Sequence, residues 1–342
     1  MPKDAGDWKF LYPEVTKVLK GIVADSEDAA VVLFSNQFRI DRDSAKFTGF
    51  KIKIDSIVAK LGSQLPIITF FSMCKDKYRK PCTGMWSLLE EVVLKSRNIL
   101  VDLDQSLFVG DAAGRLDGWR TGKRADWSTV DRKFAHNLGL KFYSPEEYFL
   151  GEPVCTKYEL GFKPSMLIND ARVPIVSALE PLWANFPAMV VFVGPPASGK
   201  SFLYKNYFEP KGFSHVNRDV LKSTTRCLSM TRSFLVGNQS VCIDNTNPTR
   251  KTRSEYLNLA KSLHIPCHCV YIQTDGELCR HLDSYRSLLT GCEGLPEVAF
   301  HAFHSSFEAP AQDEGFEQII EISFSPKFES DADGLLFYQY LF

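Results

Sequence analysis

Short apolar runs alternate with amphipathic stretches along the first half of this chain. The spacing of the apolar residues predicts strands at 30–35, 65–71 and 106–109, and helices at 51–61 and 85–95. Strands that alternate with helices are typical of a layered α/β domain built on a parallel sheet. Because ligands gather at the carboxyl ends of parallel strands, we expect the polar residues after these three strands to share one site.

The pattern fades after residue 150 and returns near residue 180. A stretch with proline, glycine and mixed charge lies between, so we predict a domain at 1–150, a linker at 151–179 and a second domain at 180–342. In the second domain an apolar, β-rich run at 189–193 leads straight into a glycine-containing loop and a helix at 200–207. The sequence therefore predicts two α/β domains with parallel sheets.

The composition limits the class of protein without selecting a function. A chain of 342 residues is long for one core, and its 44% hydrophobic and 24% charged residues are ordinary for a globular protein. The sequence has no apolar stretch of about 18 residues that could span a bilayer. The net charge of -1 gives no global attraction to a polyanion, so a nucleic acid would have to bind at local basic patches.

The cysteines indicate a reducing compartment. There are nine of them, an odd number at irregular spacing without a secretory signal, which predicts reduced thiols in the cytosol or nucleus and not secretion. The run Cys267-His268-Cys269 lies in an apolar, strand-like stretch and lacks a second ligand pair at the usual spacing. We therefore interpret these cysteines as buried strand residues and not as a metal site.

The strongest candidate for chemistry is the loop Gly194-Pro195-Pro196-Ala197-Ser198-Gly199-Lys200-Ser201. Its glycines let the backbone wrap closely around a phosphate, and its successive N–H groups supply an anion site. Lys200 would reach the β- and γ-phosphates, and Ser201 would ligate Mg²⁺. With a strand before it and a helix after it, the loop predicts ATP and Mg²⁺ as cofactors.

Four charged residues downstream fit phosphoryl transfer. Asp219 follows a predicted strand end, where a carboxylate can accept the proton of an attacking hydroxyl, although a solvated charged turn is the alternative. Asp244 ends a strand at 241–244, in the place of a carboxylate that holds the magnesium shell. Arg280 and Arg286 lie on a helix-like segment, where lid arginines can neutralise the transferred group, although lone surface arginines are usually only solvated.

Three polar residues follow strands in the first domain. The Ser35 hydroxyl and the Lys80 ammonium could hold a phosphoryl group, and Asp111 could ligate Mg²⁺. Lys80 also belongs to the run 75–80, which contains Lys75, Lys77, Tyr78 and Arg79. This run could track a single-stranded end by charge and stacking, or it could form a solvated face.

Taken together, these segments resemble the kinase half of eukaryotic bifunctional polynucleotide kinase 3′-phosphatases. The resemblance rests on the glycine loop and on three runs in the same order and spacing, His215 to Asp219, Ile243 to Pro248 and Phe307 to Pro310. It implies ATP-dependent phosphorylation of 5′-hydroxyl ends, with Asp219 as general base and Lys200 on the phosphates. The lid departs from the family's pattern, with Leu282, Asp283 and Ser284 between its arginines and His304 in place of arginine, so we expect reduced turnover.

The resemblance extends over nearly the whole chain, beginning at residues 7–14. Segments at 34–37, 78–86 and 109–115 look like the second, third and fourth motifs of a haloacid-dehalogenase-type phosphatase. They imply that Asn36 joins Ser35, Lys80 and Asp111 in a phosphatase-like site. The fold that the resemblance implies is a truncated phosphatase domain of this type followed by a P-loop kinase domain.

The family's nucleophilic aspartate and its acid/base aspartate lie ahead of the segment that 7–14 resembles. Because this chain starts at Met1, we expect both aspartates to be missing, together with the family's N-terminal phosphopeptide-recognition domain. Asp102-Leu103-Asp104-Gln105 imitates the nucleophile signature. It precedes the strand of the fourth motif and lacks the following glycine, so we interpret it as an ordinary strand edge.

The expected function is DNA-end processing in strand-break repair, with a 5′-hydroxyl kinase and an impaired 3′-phosphatase. Two alternatives stay open, a nucleotide-binding pseudoenzyme that holds DNA ends and a P-loop kinase of another small hydroxyl acceptor. DNA ends are the expected partner, with RNA left open, and no membrane is expected. The family implies a nuclear location, with the cytoplasm as the alternative, and protein partners cannot be inferred from these residues.

Overall fold

The computed structural model describes residues 6–26, 28–38, 40, 44–62, 64–168, 175–183 and 186–342. The chain divides into two compact units. Residues 1–163 and 339–342 form the first unit, and residues 164–338 form the second. The domain limits given above, with a linker at 151–179, stay a prediction.

The first unit is a small α/β arrangement in its described residues. Its strands are β1 (Val31–Asn36), β2 (Ile67–Ser72), β3 (Leu107–Val109) and β4 (Lys141–Tyr143). Its helices are α1 (Glu14–Asp25), α2 (Ala45–Leu61), α3 (Gly84–Leu88), α4 (Val130–Leu138) and α5 (Pro145–Leu150). A π-helical turn at Leu89–Leu94 and a 3₁₀ turn at Lys95–Arg97 continue α3.

The four strands form two parallel pairs, β1 with β2 and β3 with β4. Both pairs pack on one aromatic core, in which the Phe134 ring lies 5.4 Å from the Phe34 ring of β1 and 5.2 Å from the Phe108 ring of β3. Edge-to-face and tilted aromatic pairs of this kind are favourable. Helix α2 begins six residues before the predicted 51–61, because the Ser44 side chain accepts the Phe47 N–H and caps it.

The second unit is a larger α/β layer. Its strands are β5 (Met189–Val193), β6 (Ser214–Val216), β7 (Val241–Ile243), β8 (Cys267–Gln273) and β9 (Gln318–Ser323). Its helices are α6 (Ile175–Leu179), α7 (Lys200–Leu203), α8 (Arg218–Leu221), α9 (Thr224–Val236), α10 (Arg250–Leu263), α11 (Gly276–Thr290), α12 (Glu297–Ser306) and α13 (Asp331–Phe337). A π-helical turn continues α7 at Tyr204–Phe208, and 3₁₀ turns occur at Pro164–Leu167, Glu180–Trp183, Glu209–Lys211 and Gln312–Glu314.

These five strands form one parallel sheet in the order β6-β7-β5-β8-β9. All five side chains of β5 are buried, because helices cover both faces of the sheet. Met189, Val191 and Val193 pack on the face that α9 and α10 cover, and Val190 and Phe192 pack on the other face. The loop that follows β5 therefore begins at the centre of the carboxyl edge.

Strand β8 carries the two cysteines that flank His268. Cys267 and Cys269 are buried in it, and burial raises the pKa of the Cys269 thiol to about 12. These thiols stay protonated at neutral pH and pack as small apolar side chains. Within the described ranges, none of the helices combines the length and the hydrophobicity that a bilayer crossing needs.

Candidate active sites

The glycine loop has the tight curve of a phosphate-binding loop. An added Cβ at Gly194 would lie 3.0 Å from both the Ile272 carbonyl oxygen and the Ser198 Oγ, so a side chain has no room there. Gly199 has a φ of 91°, a left-handed conformation that costs glycine little. These two glycines, five residues apart in the sequence, thus place the backbone where a phosphate can approach it closely.

The Lys200 side chain lies inside this loop. Its Nζ donates to the carbonyl oxygens of Gly194 and Pro195 at 3.0 and 2.5 Å, and to the Ser198 Oγ at 3.2 Å. Burial lowers the pKa of Lys200 to about 8, although the carboxylates of Asp244 and Asp219 act in the opposite direction. The ammonium is therefore held where phosphates would lie, in a site with little water.

Asp244 follows β7 and lies next to Ser201. Its Oδ2 accepts the Ser201 Oγ–H at 2.6 Å and lies 2.9 Å from the His215 Nε2. The His215 ring in turn stacks on the Tyr204 ring at 4.1 Å. Burial alone would raise the pKa of Asp244, but the hydrogen bonds from His215 and Ser201 hold it below its usual value. Asp244 is thus an ionised, buried carboxylate beside the hydroxyl of the glycine loop.

Asn217 connects Asp244 to Asp219. Its Nδ2 donates to the Asp244 carbonyl oxygen at 3.0 Å, and its Oδ1 accepts the Asp219 N–H at 2.8 Å. Asn217 caps α8, whose first turn contains Asp219. The Asp219 side chain is exposed and so remains accessible to an acceptor molecule. The sequence does not predict the roles of Asn217 and His215, because it does not show that they contact Asp244.

Arg253 is a further residue that the sequence analysis missed. Its side chain is 0% exposed, and its guanidinium binds both carboxylate oxygens of Glu314 at 2.7 Å. Its Nη1 donates to the carbonyl oxygens of Asn247 and Glu308 at 3.1 and 2.9 Å. Arg253 therefore fixes the loop after Asp244 against the segment after α12. A single arginine in an amphipathic helix gives no sequence signal of this role.

The two arginines assigned to a lid lie on α11 and bind carboxylates. Arg280 binds Glu297, with an Nη2 to Oε2 distance of 2.9 Å, and Arg286 binds Asp283, with an Nη2 to Oδ1 distance of 2.5 Å. Asp283 also accepts the Leu295 N–H at 2.7 Å. The side chains of Arg280 and Arg286 are 30% and 47% exposed. Both guanidiniums are thus partly exposed and held by carboxylates, of which Glu297 is exposed and Asp283 is buried.

The residues around the glycine loop fit a nucleotide and a magnesium ion. The backbone curves tightly at Gly194 and Gly199, and Lys200 supplies a cation inside the loop. Ser201 and Asp244 offer two hard oxygen ligands 2.6 Å apart, the donor type that Mg²⁺ prefers. Carboxylate, hydroxyl, ammonium and backbone groups therefore meet at the glycine loop.

In the first unit, the structure brings the loop after β1 next to Lys80. The Asn36 Nδ2 donates to the Lys80 carbonyl oxygen, and the Lys80 N–H donates to the Asn36 Oδ1, both at 3.0 Å. The Ser35 Oγ accepts the Gln37 Nε2–H at 2.8 Å. Side chains from two sequence-distant segments thus meet at the carboxyl ends of β1 and β2.

Asp131 joins this group, and no local pattern in the sequence predicts that it does. Its Oδ1 accepts the Lys80 ammonium at 2.5 Å, and its Oδ2 accepts the Ala112 N–H at 3.1 Å. Gly110 has to be glycine here, because an added Cβ would lie 2.5 Å from the Asp131 side chain. Asp131 therefore connects Lys80 to the fourth-motif segment, where Asp111 is exposed beside Ala112.

The segment Asp102 to Gln105 lies ahead of β3, at its amino end. The Asp102 Oδ1 accepts the Gln105 N–H at 3.1 Å, which closes a turn. Asp111, in contrast, follows the carboxyl end of β3. Strand β3 therefore separates Asp102 to Gln105, which imitates the nucleophile signature, from the polar group around Lys80.

Comparisons with known proteins match both halves of the chain. A family model described as polynucleotide kinase 3 phosphatase matches residues 1–149, and one described as AAA domain matches residues 189–310. The bifunctional polynucleotide phosphatase/kinase of Schizosaccharomyces pombe is 36% identical over 324 residues, which cover 94% of this chain and 74% of that protein.

A relative in Acanthamoeba polyphaga mimivirus is 31% identical over 347 residues, which cover 94% of this chain and 81% of the relative. A solved gluconokinase structure from Sinorhizobium meliloti 1021 has 17% identity and a TM-score of 0.34, and the match covers 45% of this chain and 93% of that one. The two relatives and the two family models confirm the predicted order of a haloacid-dehalogenase-like phosphatase domain and a P-loop kinase domain. The chain belongs to the family of bifunctional polynucleotide phosphatase/kinases.

Proposed function

We propose that this chain uses ATP and Mg²⁺ to phosphorylate 5′-hydroxyl ends of DNA in strand-break repair. The observation that carries the proposal is the hydrogen-bonded connection from Ser201 through Asp244 and Asn217 to Asp219, beside Lys200. It joins a phosphate-binding loop to an exposed carboxylate, which is what transfer to a hydroxyl requires. Membership of the phosphatase/kinase family supports the nucleic-acid end as the acceptor.

Each residue of this group has a distinct part in the proposed reaction. The N–H groups of the glycine loop and the Lys200 ammonium hold the phosphates, and Ser201 and Asp244 would hold Mg²⁺, whose charge offsets that of the phosphate oxygens. Asp219 accepts the proton of the attacking 5′-hydroxyl. Asn217 orients Asp219, because it caps α8 and is itself fixed to Asp244.

Arg280 and Arg286 are the proposed cations for the transferred phosphoryl group. To reach it they would exchange Glu297 and Asp283 for phosphate oxygens. The pair of Arg280 with the exposed Glu297 is of the weak kind, whereas the Asp283 side chain is only 9% exposed, so release of Arg286 costs more. The Asp283 carboxylate also accepts the Leu295 N–H, so it would keep one hydrogen bond after Arg286 is released. The competing carboxylates agree with the reduced turnover expected from the sequence.

The first unit is proposed to recognise 3′-phosphate ends. Ser35, Asn36 and Lys80 supply hydroxyl, amide and ammonium groups for a phosphoryl group, and Asp111 is the proposed Mg²⁺ ligand. Asp131 already accepts hydrogen bonds from the Lys80 ammonium and the Ala112 N–H, so we propose it as a residue that positions Lys80. We therefore expect this chain to bind 3′-phosphate ends through these residues.

The test is label transfer from γ-labelled ATP, with Mg²⁺, to a gapped duplex that carries a 5′-hydroxyl. Wild type is compared with Lys200→Ala and with Lys205→Ala, which removes an exposed lysine from the π-helical turn after α7. We expect transfer by wild type and Lys205→Ala, and a loss of about 100-fold or more in Lys200→Ala.

Other outcomes would favour the alternatives. ATP binding without transfer would favour a pseudoenzyme that holds DNA ends, and transfer only to a small hydroxyl compound would favour a different kinase. An RNA acceptor in parallel decides between the two nucleic acids. A nuclear location, proposed from the repair role, is checked by imaging the tagged chain in cells.

A further inference from the structure

An exposed aromatic ring with two cations against it lies beside the phosphatase-like site. Phe38 follows β1 and is 45% exposed. The Lys75 Nζ lies 5.4 Å from the centroid of its ring, and the Arg79 guanidinium carbon lies 5.6 Å from the same centroid. Aromatic rings with cations at this distance are attracted to them electrostatically. We call Phe38, Lys75 and Arg79 the aromatic platform.

The platform is fixed to the phosphoryl-binding residues by backbone connections. Phe38 is two residues after Asn36, and Arg79 directly precedes Lys80. The two reciprocal hydrogen bonds between Asn36 and Lys80 hold these segments together. Two residues of chain span at most about 7 Å, a distance comparable with that between a 3′-phosphate and its own base. A 3′-phosphate held by Ser35 and Lys80 would therefore have its base within reach of the Phe38 ring.

The charges of the platform are available to a polyanion. Asp76, the acidic residue within the run 75–80, uses its Oδ1 to accept the Tyr78 N–H at 3.0 Å. The described part of the chain shows no ion pair for Lys75 or Arg79. The Arg79 Nη1 is buried and has no hydrogen-bond partner among the described residues, which leaves a donor that a phosphate oxygen can satisfy.

From this geometry we propose that the aromatic platform binds the terminal nucleotide of a single strand that ends in a 3′-phosphate. The Phe38 ring stacks on the terminal base, and Lys75 and Arg79 bind the preceding phosphate of the same strand. The inference rests on the proposed recognition of 3′-phosphate ends by the first unit. Stacking on an aromatic ring together with nearby cations is how proteins hold single strands without reading their sequence, because every base has a π-face.

The test measures binding by fluorescence anisotropy. The probe is a short single-stranded DNA with a dye at its 5′ end, which leaves no 5′-hydroxyl for the kinase unit, and a 3′-phosphate at the other end. A second probe has an abasic terminal residue, and a third ends in a 3′-hydroxyl. The proteins are wild type, Phe38→Ala, Phe38→Trp and a matched control, Leu100→Ala, which removes a side chain that is 96% exposed ahead of β3.

We expect Phe38→Ala to weaken binding of the 3′-phosphate probe about 5- to 100-fold. Phe38→Trp and Leu100→Ala should bind within about twofold of wild type. On the abasic probe, Phe38→Ala and wild type should bind equally, because the base that stacks is missing. The melting curve reports whether Phe38→Ala is folded, since label transfer takes place in the second unit and Phe38 lies in the first.

Lys75→Ala should weaken binding and lower the dependence of log Kd on log salt by about one unit. Lys141→Ala is its matched control, since it removes an exposed lysine at the amino end of β4. Equal affinities of Phe38→Ala and wild type for the 3′-phosphate probe would overturn the platform. An equal loss on the abasic probe would overturn it too.

The same probes test the proposed recognition of 3′-phosphate ends separately from the aromatic platform. If wild type bound the 3′-phosphate and 3′-hydroxyl probes equally, recognition of 3′-phosphate ends would be wrong. The platform would still be supported in that case if Phe38→Ala lost affinity only for probes with a terminal base. Wild type that binds none of the probes would overturn both.

Discussion

We expect ATP binding to depend on pH through Lys200, in a direction that the burial of this side chain sets. Burial in the glycine loop lowers the pKa of the Lys200 ammonium from 10.5 to about 8 in the protein without nucleotide. Phosphates bound beside the ammonium favour its charged form and raise the pKa again. Above pH 8 the protein must therefore take up a proton in order to bind ATP, and its affinity falls as the pH rises.

The magnitude follows from the fraction of protein with a charged Lys200. With a pKa of about 8, roughly three-quarters of the molecules carry the charge at about pH 7.5 and roughly one-tenth carry it at about pH 9. If Lys200 stays charged in the nucleotide complex over this pH range, the apparent Kd for ATP rises about eightfold between these two pH values. Choosing pH values above about 7.5 avoids most of the titration of the phosphate itself.

Isothermal titration calorimetry measures both the Kd and the proton uptake, when it is repeated in buffers of different ionisation enthalpy. We expect wild type to take up close to one proton per ATP bound at about pH 9. Lys200→Arg keeps its charge throughout the range, so its Kd should not follow the pH. A wild-type Kd constant within about twofold, or an equal slope in Lys200→Arg, would refute the argument.

Three further results are expected. Asp219→Asn should lower label transfer by about 100-fold or more, while its Kd for ATP stays within about twofold of the wild-type value. Transfer assays measure the first quantity and calorimetry measures the second. Full transfer by Asp219→Asn would show that Asp219 is not the general base. Arg253→Ala should lower the free energy of unfolding by about 3–5 kcal/mol in urea titrations, because it leaves a buried carboxylate and carbonyl oxygens without their donor. The exposed ion pair of Arg250 should contribute far less, so Arg250→Ala is the control. Similar losses in the two variants would contradict this prediction. Gly110→Ala should destabilise the chain by about 1–3 kcal/mol in thermal melting, since its Cβ would lie 2.5 Å from the Asp131 side chain. An unchanged melting temperature would show that the Asp131 side chain can shift to make room for the Cβ.

Much of the second unit could be predicted because its signals are local. The apolar run of β5, the glycine loop and the helix after it are contiguous, so their residue types and spacing indicate both the structure and the chemistry. Element limits were less certain. The helix predicted at 51–61 begins at Ala45, because a single capping contact of Ser44 decides where it starts.

The contacts that complete both sites join residues far apart in sequence. Lys80 binds Asp131, 51 residues away, and Ser201 binds Asp244, 43 residues away. The pairing of Arg253 with Glu314 spans 61 residues. Such pairs depend on which strand ends and helices pack side by side, and no periodicity along the chain records that arrangement.

The sequence by itself determined the class of each domain, the phosphate-binding loop and the family. Local hydrogen bonding, side-chain volume and the spacing of apolar residues are sufficient for that, because each acts between near neighbours in the chain. Only the tertiary structure decided which carboxylates are already bound, as Glu314 is by Arg253, and which remain exposed, as Asp219 does. The physical reason is that burial and ion pairing arise between segments that meet only when the chain folds.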